Sequence, residues 1–108
     1  MTTVSGVAPA EMCAALADDT RWSILTRLGS SAASASALAK ELPVSRQAIV
    51  KHLDVLRTVG LVRAHREGRQ VRFEVVGAPL SQLARRLERI AAAWDARLAD
   101  IKRLAEGD

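Results

Sequence analysis

With 108 residues, 49% of them hydrophobic and only 6 Gly and 3 Pro, the chain has the size and composition of one folded domain and is too apolar for a disordered tail. A net charge of +4 suits a polyanionic partner such as nucleic acid without identifying one, and the single cysteine, Cys13, excludes an intramolecular disulfide framework and fits a reducing compartment. The first residues lack the basic start and apolar run of a signal peptide, and no segment approaches the roughly 18 apolar residues of a membrane span, so a cytoplasmic protein with no membrane partner is expected.

Residues 1–8 are expected to be a flexible N-terminus ahead of a single domain over 9–106. Pro9 suits the first position of a short helix whose apolar stripe carries Met12 and Leu16 and ends near Asp18-Asp19. In that stripe Cys13 reads as a small core residue. Either aspartate can cap a second helix, where Trp22, Ile24, Leu25 and Leu28 recur at helical spacing before Gly29 offers a stop. The apolar faces predict packed positions for Trp22 and, later, Trp94.

Ser30 to Ala37 contains only Ser and Ala, too short and Ala-rich for an interdomain linker, and reads as a turn plus a helix start. The third helix carries Ala35, Leu38, Ala39 and Leu42, and stops at Pro43, which disfavours helical geometry in the residue before it. Ser45 is a good N-cap for a fourth helix reaching about Val59, with Gly60 as the left-handed residue that ends it. Leu61-Val62 and Val71–Val75 then read as two strands with Glu67-Gly68 at the hairpin tip. Pro79 opens a final helix whose apolar residues Leu80, Leu83, Leu87, Ile90, Trp94, Leu98, Ile101 and Leu104 alternate three and four apart. The fold class is therefore mainly α with a small β-hairpin, a helix-turn-helix followed by a wing and a long C-terminal helix.

Along Ser45–Val59, steps of 100° put Arg46, Gln47, Val50, Lys51, Asp54, Arg57 and Thr58 on one side and Ala48, Ile49, His52, Val55, Leu56 and Val59 on the other. The outer set begins with residue types able to hydrogen-bond base edges in a major groove. From Lys40 to Arg72 there are eight basic and three acidic residues, so the excess positive charge coincides with the fourth helix and the hairpin. His52 reads as a hydrogen-bonded inner residue and His65 as an exposed one.

The segments Leu16-Ala17-Asp18-Asp19-Thr20-Arg21, Leu38-Ala39-Lys40-Glu41-Leu42, Val44-Ser45-Arg46-Gln47-Ala48-Ile49-Val50-Lys51-His52-Leu53 and Gly60-Leu61-Val62, in this order and spacing, closely resemble the ArsR/SmtB family of winged helix-turn-helix regulators over about residues 10–105. The resemblance implies a sequence-specific transcriptional regulator, a repressor binding a palindromic operator in double-stranded DNA as a homodimer, with no small-molecule effector identified. It implies that Arg46, Gln47, Val50 and Lys51 occupy DNA-facing positions and that the hairpin is the wing; Ser45 at the helix start and Arg66 and Arg69, flanking the Glu67-Gly68 tip, are further expected DNA contacts. The last helix, through Leu83, Leu87, Ile90, Trp94, Leu98 and Ile101, would form the dimer interface with the first.

Many members of that family sense metals through paired cysteines in the third helix or Asp and His ligands in the last. Here the third helix has no cysteine and the last has Asp95 and Asp100 but no histidine, so no metal and no cofactor are expected. No nucleophile arrangement, phosphate-binding glycine loop or paired carboxylates suggest an enzyme. The rival readings are a winged-helix protein-interaction module that binds DNA weakly and, third, an RNA binder. The latter is disfavoured because only Phe73 offers an aromatic on a strand.

Overall fold

The computed structural model describes residues 7–107. The flexible segment expected over 1–8 lies outside these residues except for Val7 and Ala8. The chain divides into two compact units, residues 1–77 and 78–108.

The first unit begins with α1 (Pro9–Leu16), whose entry is fixed by the Glu11 carboxylate accepting the Ala8 N–H at 3.2 Å. The carboxylate of Asp18 accepts the Arg21 N–H at 2.9 Å and caps α2 (Asp19–Leu28). A two-residue strand, β1 (Ala33–Ser34), leads directly into α3 (Ala35–Glu41), where Ser34 Oγ accepts the Ala37 N–H. Leu42 is extended ahead of Pro43, as the sequence predicts.

After the turn, Ser45 Oγ accepts the Ala48 N–H at 3.1 Å and starts α4 (Arg46–Thr58). That helix ends in a Schellman motif. Gly60 adopts φ +81°, its N–H donates to Arg57 O at 2.9 Å, and the Leu61 N–H donates to Leu56 O at 3.0 Å. Leu56 and Leu61 are both fully buried, the apolar contact that accompanies this cap. An L side chain at residue 60 would be strained, so Gly60 sets the angle at which α4 passes into the wing.

The wing pairs β2 (Val62–Glu67) with β3 (Gln70–Val75), antiparallel, and β1 adds to the other edge of β3 through Ala33↔Phe73 and Ser34↔Arg72, giving the order β1-β3-β2. The tip is the two-residue turn Gly68-Arg69, one position later than expected. Gly68 has φ +65° and Arg69 a negative φ, the pattern of a II′ hairpin. β2 runs well past Leu61-Val62 because its charged residues find opposite charges across the ladder, Arg63 with Glu74 directly opposite and Glu67 with Arg72 on the diagonal. The strand β1 lay hidden in the Ser/Ala run, which has no β-branched or aromatic residue to mark it.

The core of this unit gathers Ile24, Leu38, Ile49, Leu53, Leu56 and Leu61, all fully buried, with Met12, Ala15, Leu25, Leu28, Val62 and Phe73 around them. Leu53 completes the stripe Ile49–Leu53–Leu56. Three positions differ from the sequence reading. Val55, which the 100° periodicity puts on the inner side, is exposed, because it falls beyond the edge of that stripe. Trp22 is 59% exposed, because α2 buries Ile24, Leu25 and Leu28 and turns residue 22 to the opposite side. Cys13 is exposed rather than core, because α1 buries Met12 and Ala15.

The second unit is the body of α5 (Gly77–Glu106), 30 residues and about 45 Å long at 1.5 Å per residue. It starts two residues before Pro79, which is accommodated in the first turn because N–H groups there have no intrahelical acceptor. No helix among the described residues is long and apolar enough to cross a membrane.

Candidate nucleic-acid interface

The α4 cap places Arg46, Gln47 and Lys51 in solvent on one side of the helix, with Val50 half-buried between them and Ser45 exposed at its start. The helix is held from behind by its apolar stripe, so this face is rigidly presented. Arg66 lies exposed on β2 and Arg69 forms the second residue of the wing turn. A groove of about 390 Å³ joins the two elements; Arg46 and Val50 of α4, Ser36 of α3, and Arg69, Gln70 and Phe73 of the wing contribute to its walls. Arg46 and Arg69, expected to work on separate elements, are thus brought to one groove.

Four other arginines of this unit are paired locally. Arg27 pairs with Glu41 at 2.6 Å, Arg57 with Asp54 at 3.8 Å, Arg63 with Glu74 at 2.6 Å, and Arg72 Nε approaches Glu67 at 2.9 Å without hydrogen-bond alignment. The Arg63 guanidinium, through its hydrogen bond and then its charge, holds Glu74 below the usual carboxylate range. Among the described residues, Arg46, Lys51, Arg66 and Arg69 have no carboxylate within 4.0 Å. Their field is therefore available to an external polyanion. Arg46 does have one neutral partner, its Nε donating to Ser36 Oγ at 3.0 Å.

Behind α4, half-buried His52 lies 3.2 Å from Arg21 and 3.9 Å from Asp18, matching its expected inner, hydrogen-bonded role. Arg21 also donates to the carbonyls of Ala14 and Ala15 at the end of α1. The Arg21 backbone N–H, with the neighbouring His52 and Arg21 charges, lowers the Asp18 pKa against the opposing effect of burial.

Ser36 and Gln70 were not singled out by sequence. Their significance depends on α3 and the wing meeting beside Arg46, for which a linear spacing carries no signal. On α5, Leu87, Ile90, Trp94, Leu98 and Ile101 are between 43% and 66% exposed in the single chain, whereas Leu83 is buried. Among the described residues, no group of three or more His, Cys, Asp or Glu side chains could hold a metal ion.

Residues 16–65 match a family model described as a helix-turn-helix domain. The chain is 36% identical over 96 residues to the HTH-type transcriptional regulator Rv2034 of Mycobacterium tuberculosis, covering 87% of each protein. Its structure is similar to that of an ArsR-like transcriptional regulator from Rhodococcus sp. RHA1, with 55% identity, TM-score 0.79, and 93% and 94% of the two chains covered. It is also similar to the homodimeric winged helix-turn-helix DNA-binding domain of Mb0332 from Mycobacterium bovis, a possible ArsR-family transcriptional regulator, at 27% identity and TM-score 0.62, over 80% of this chain and 77% of that one.

Proposed function

The chain belongs to the ArsR family of winged helix-turn-helix transcriptional regulators, and from that membership we propose that it is a cytoplasmic repressor, without enzymatic activity, that occupies a palindromic operator as a homodimer. In this reading α4 enters the major groove. Ser45, Arg46, Gln47, Val50 and Lys51 face the DNA, with Arg46 and Gln47 on base edges, while Arg66 and Arg69 of the wing meet phosphate or the minor groove. The observation that carries the proposal is the gathering of four exposed cations without acidic partners, Arg46 and Lys51 on one face of α4 and Arg66 and Arg69 on the wing, with Arg46 and Arg69 lining one groove.

Dimerisation is supported by the uncovered apolar face of α5, which water would otherwise bathe along Leu87 to Ile101, and by the homodimeric state of the Mycobacterium bovis neighbour. Two symmetric α4 helices would then address half-sites about 34 Å apart. The deciding experiment is selection of duplexes from a random pool, followed by competition at physiological salt. An operator that outcompetes random duplex by at least about 10³ supports the proposal. Equal competition would replace it with the protein-interaction module.

A further inference from the structure

We propose that Ser36 is a positioning residue for sequence recognition: it holds the Arg46 guanidinium in its reading orientation before DNA arrives. The inference rests on the DNA-binding reading above. Arg46 Nε donates to Ser36 Oγ at 3.0 Å, and this is the one side-chain hydrogen bond Arg46 makes among the described residues. Using Nε leaves both terminal amino groups, the fork that can bind guanine O6 and N7, unengaged.

Both ends of this contact are held by their own helices. Ser36 sits in the first turn of α3, where Ser34 caps the helix and Ala35 and Leu38 are buried; Arg46 is the first residue of α4, fixed by the Ser45 cap and by buried Ile49. A free arginine loses substantial rotamer entropy when it is ordered. A side chain already tethered at Nε loses less on binding, and a fixed fork discriminates bases where a mobile one finds any acceptor. Ser36 is itself exposed beside the groove that Arg46 and Arg69 share. Its own O–H, which the contact with Arg46 does not use, stays available to an incoming phosphate.

The test uses the full chain and a duplex that the wild-type protein selects from a random pool, with affinities measured for that duplex and for single-base-pair variants of it. Ser36→Ala is expected to weaken the selected duplex about three- to tenfold, the scale of one lost hydrogen bond of ordinary net strength at a solvent-exposed site. The loss should fall on discrimination at the base pair whose preference Arg46→Ala also abolishes, with random duplex nearly unaffected. Ser36→Thr, which keeps the hydroxyl, should restore that preference. In an Arg46→Ala background, Ser36→Ala should have no further effect on discrimination. Selection by the wild type with an unchanged preference in Ser36→Ala, or an equal loss on selected and random duplex, would overturn the positioning role alone. Failure of the wild type to select any sequence would overturn the DNA-binding reading and this role with it.

Discussion

Nδ1 of His52 on α4 lies 3.2 Å from Nη1 of Arg21 on α2. The same Arg21 side chain donates to the Ala14 and Ala15 carbonyls, so one residue closes the end of α1 and braces the back of α4. Arg21→Ala is expected to lower stability by about 1–3 kcal/mol, read as the urea midpoint at unchanged slope. Arg21→Lys should recover little, since a single ammonium cannot serve acceptors spread across a fork. A midpoint in the lysine variant equal to wild type would remove the bracing role.

The lowered pKa of Asp18 gives a pH dependence of known sign. Its folded-state pKa lies below the ordinary value of 3.8, so the folded state favours the carboxylate. The resulting stabilisation is complete well above 3.8 and disappears as pH falls through the lowered folded-state value. Asp18→Asn keeps a capping oxygen and removes the charge. Its melting temperature should lie below that of wild type at neutral pH, with the gap shrinking on acidification past 3.8. A gap independent of pH would mean that the charge contributes nothing.

Arg46 and Arg69 should differ in what they lose. Arg46→Ala should cost about 1–3 kcal/mol on the operator and flatten discrimination at one base pair per half-site. Arg69→Ala should weaken operator and random DNA about equally and lower the salt slope by roughly 1 per phosphate contact, or about 2 in a dimer. Because both side chains line one groove, their effects should depart from additivity in the double variant. Interchanged phenotypes would reverse the assignment of base reader and clamp.

Ile90 is 66% exposed in the middle of the apolar face of α5. Ile90→Asp should convert a dimer into a monomer at low micromolar concentration while leaving the helical circular dichroism nearly intact. Light scattering checks the mass. A monomeric wild type under the same conditions would refute the dimer.

The metal ligand sets of the family's sensors are absent from the sequence. Zinc, nickel and arsenite are therefore expected to leave operator affinity unchanged, with no tight binding in calorimetry. A stoichiometric metal of submicromolar affinity that shifts DNA binding would contradict this.

Helix boundaries were legible in the sequence wherever a cap or breaker marked them. Asp18, Ser45, Pro43 and Gly60 each do in the structure what their local chemistry predicts. The sequence was less informative where partners decide the outcome. β1 exists because β3 offers an edge to Ala33 and Ser34, and half of β2 is charged, with Arg63 and Glu67 paired to Glu74 and Arg72 of β3. Trp22 and Cys13 show the limit of hydrophobicity as a burial signal: each is apolar, yet the rotation of its helix is set by longer stripes elsewhere on it. For the candidate site, the exposed face of α4 could be read from periodicity alone, whereas the Ser36–Arg46 contact required two helices to meet.

The pairing of Ala33 with Phe73 encloses α3, α4 and β2 within a loop closed by the sheet. Closing such a loop costs chain entropy that is recovered only when the intervening helices pack, so β1, β3 and α4 should gain protection together. Amide exchange in β1, β3 and the centre of α4 would then report a single opening event. The wing, though it projects its charges into solvent, would come apart only when the helix-turn-helix does.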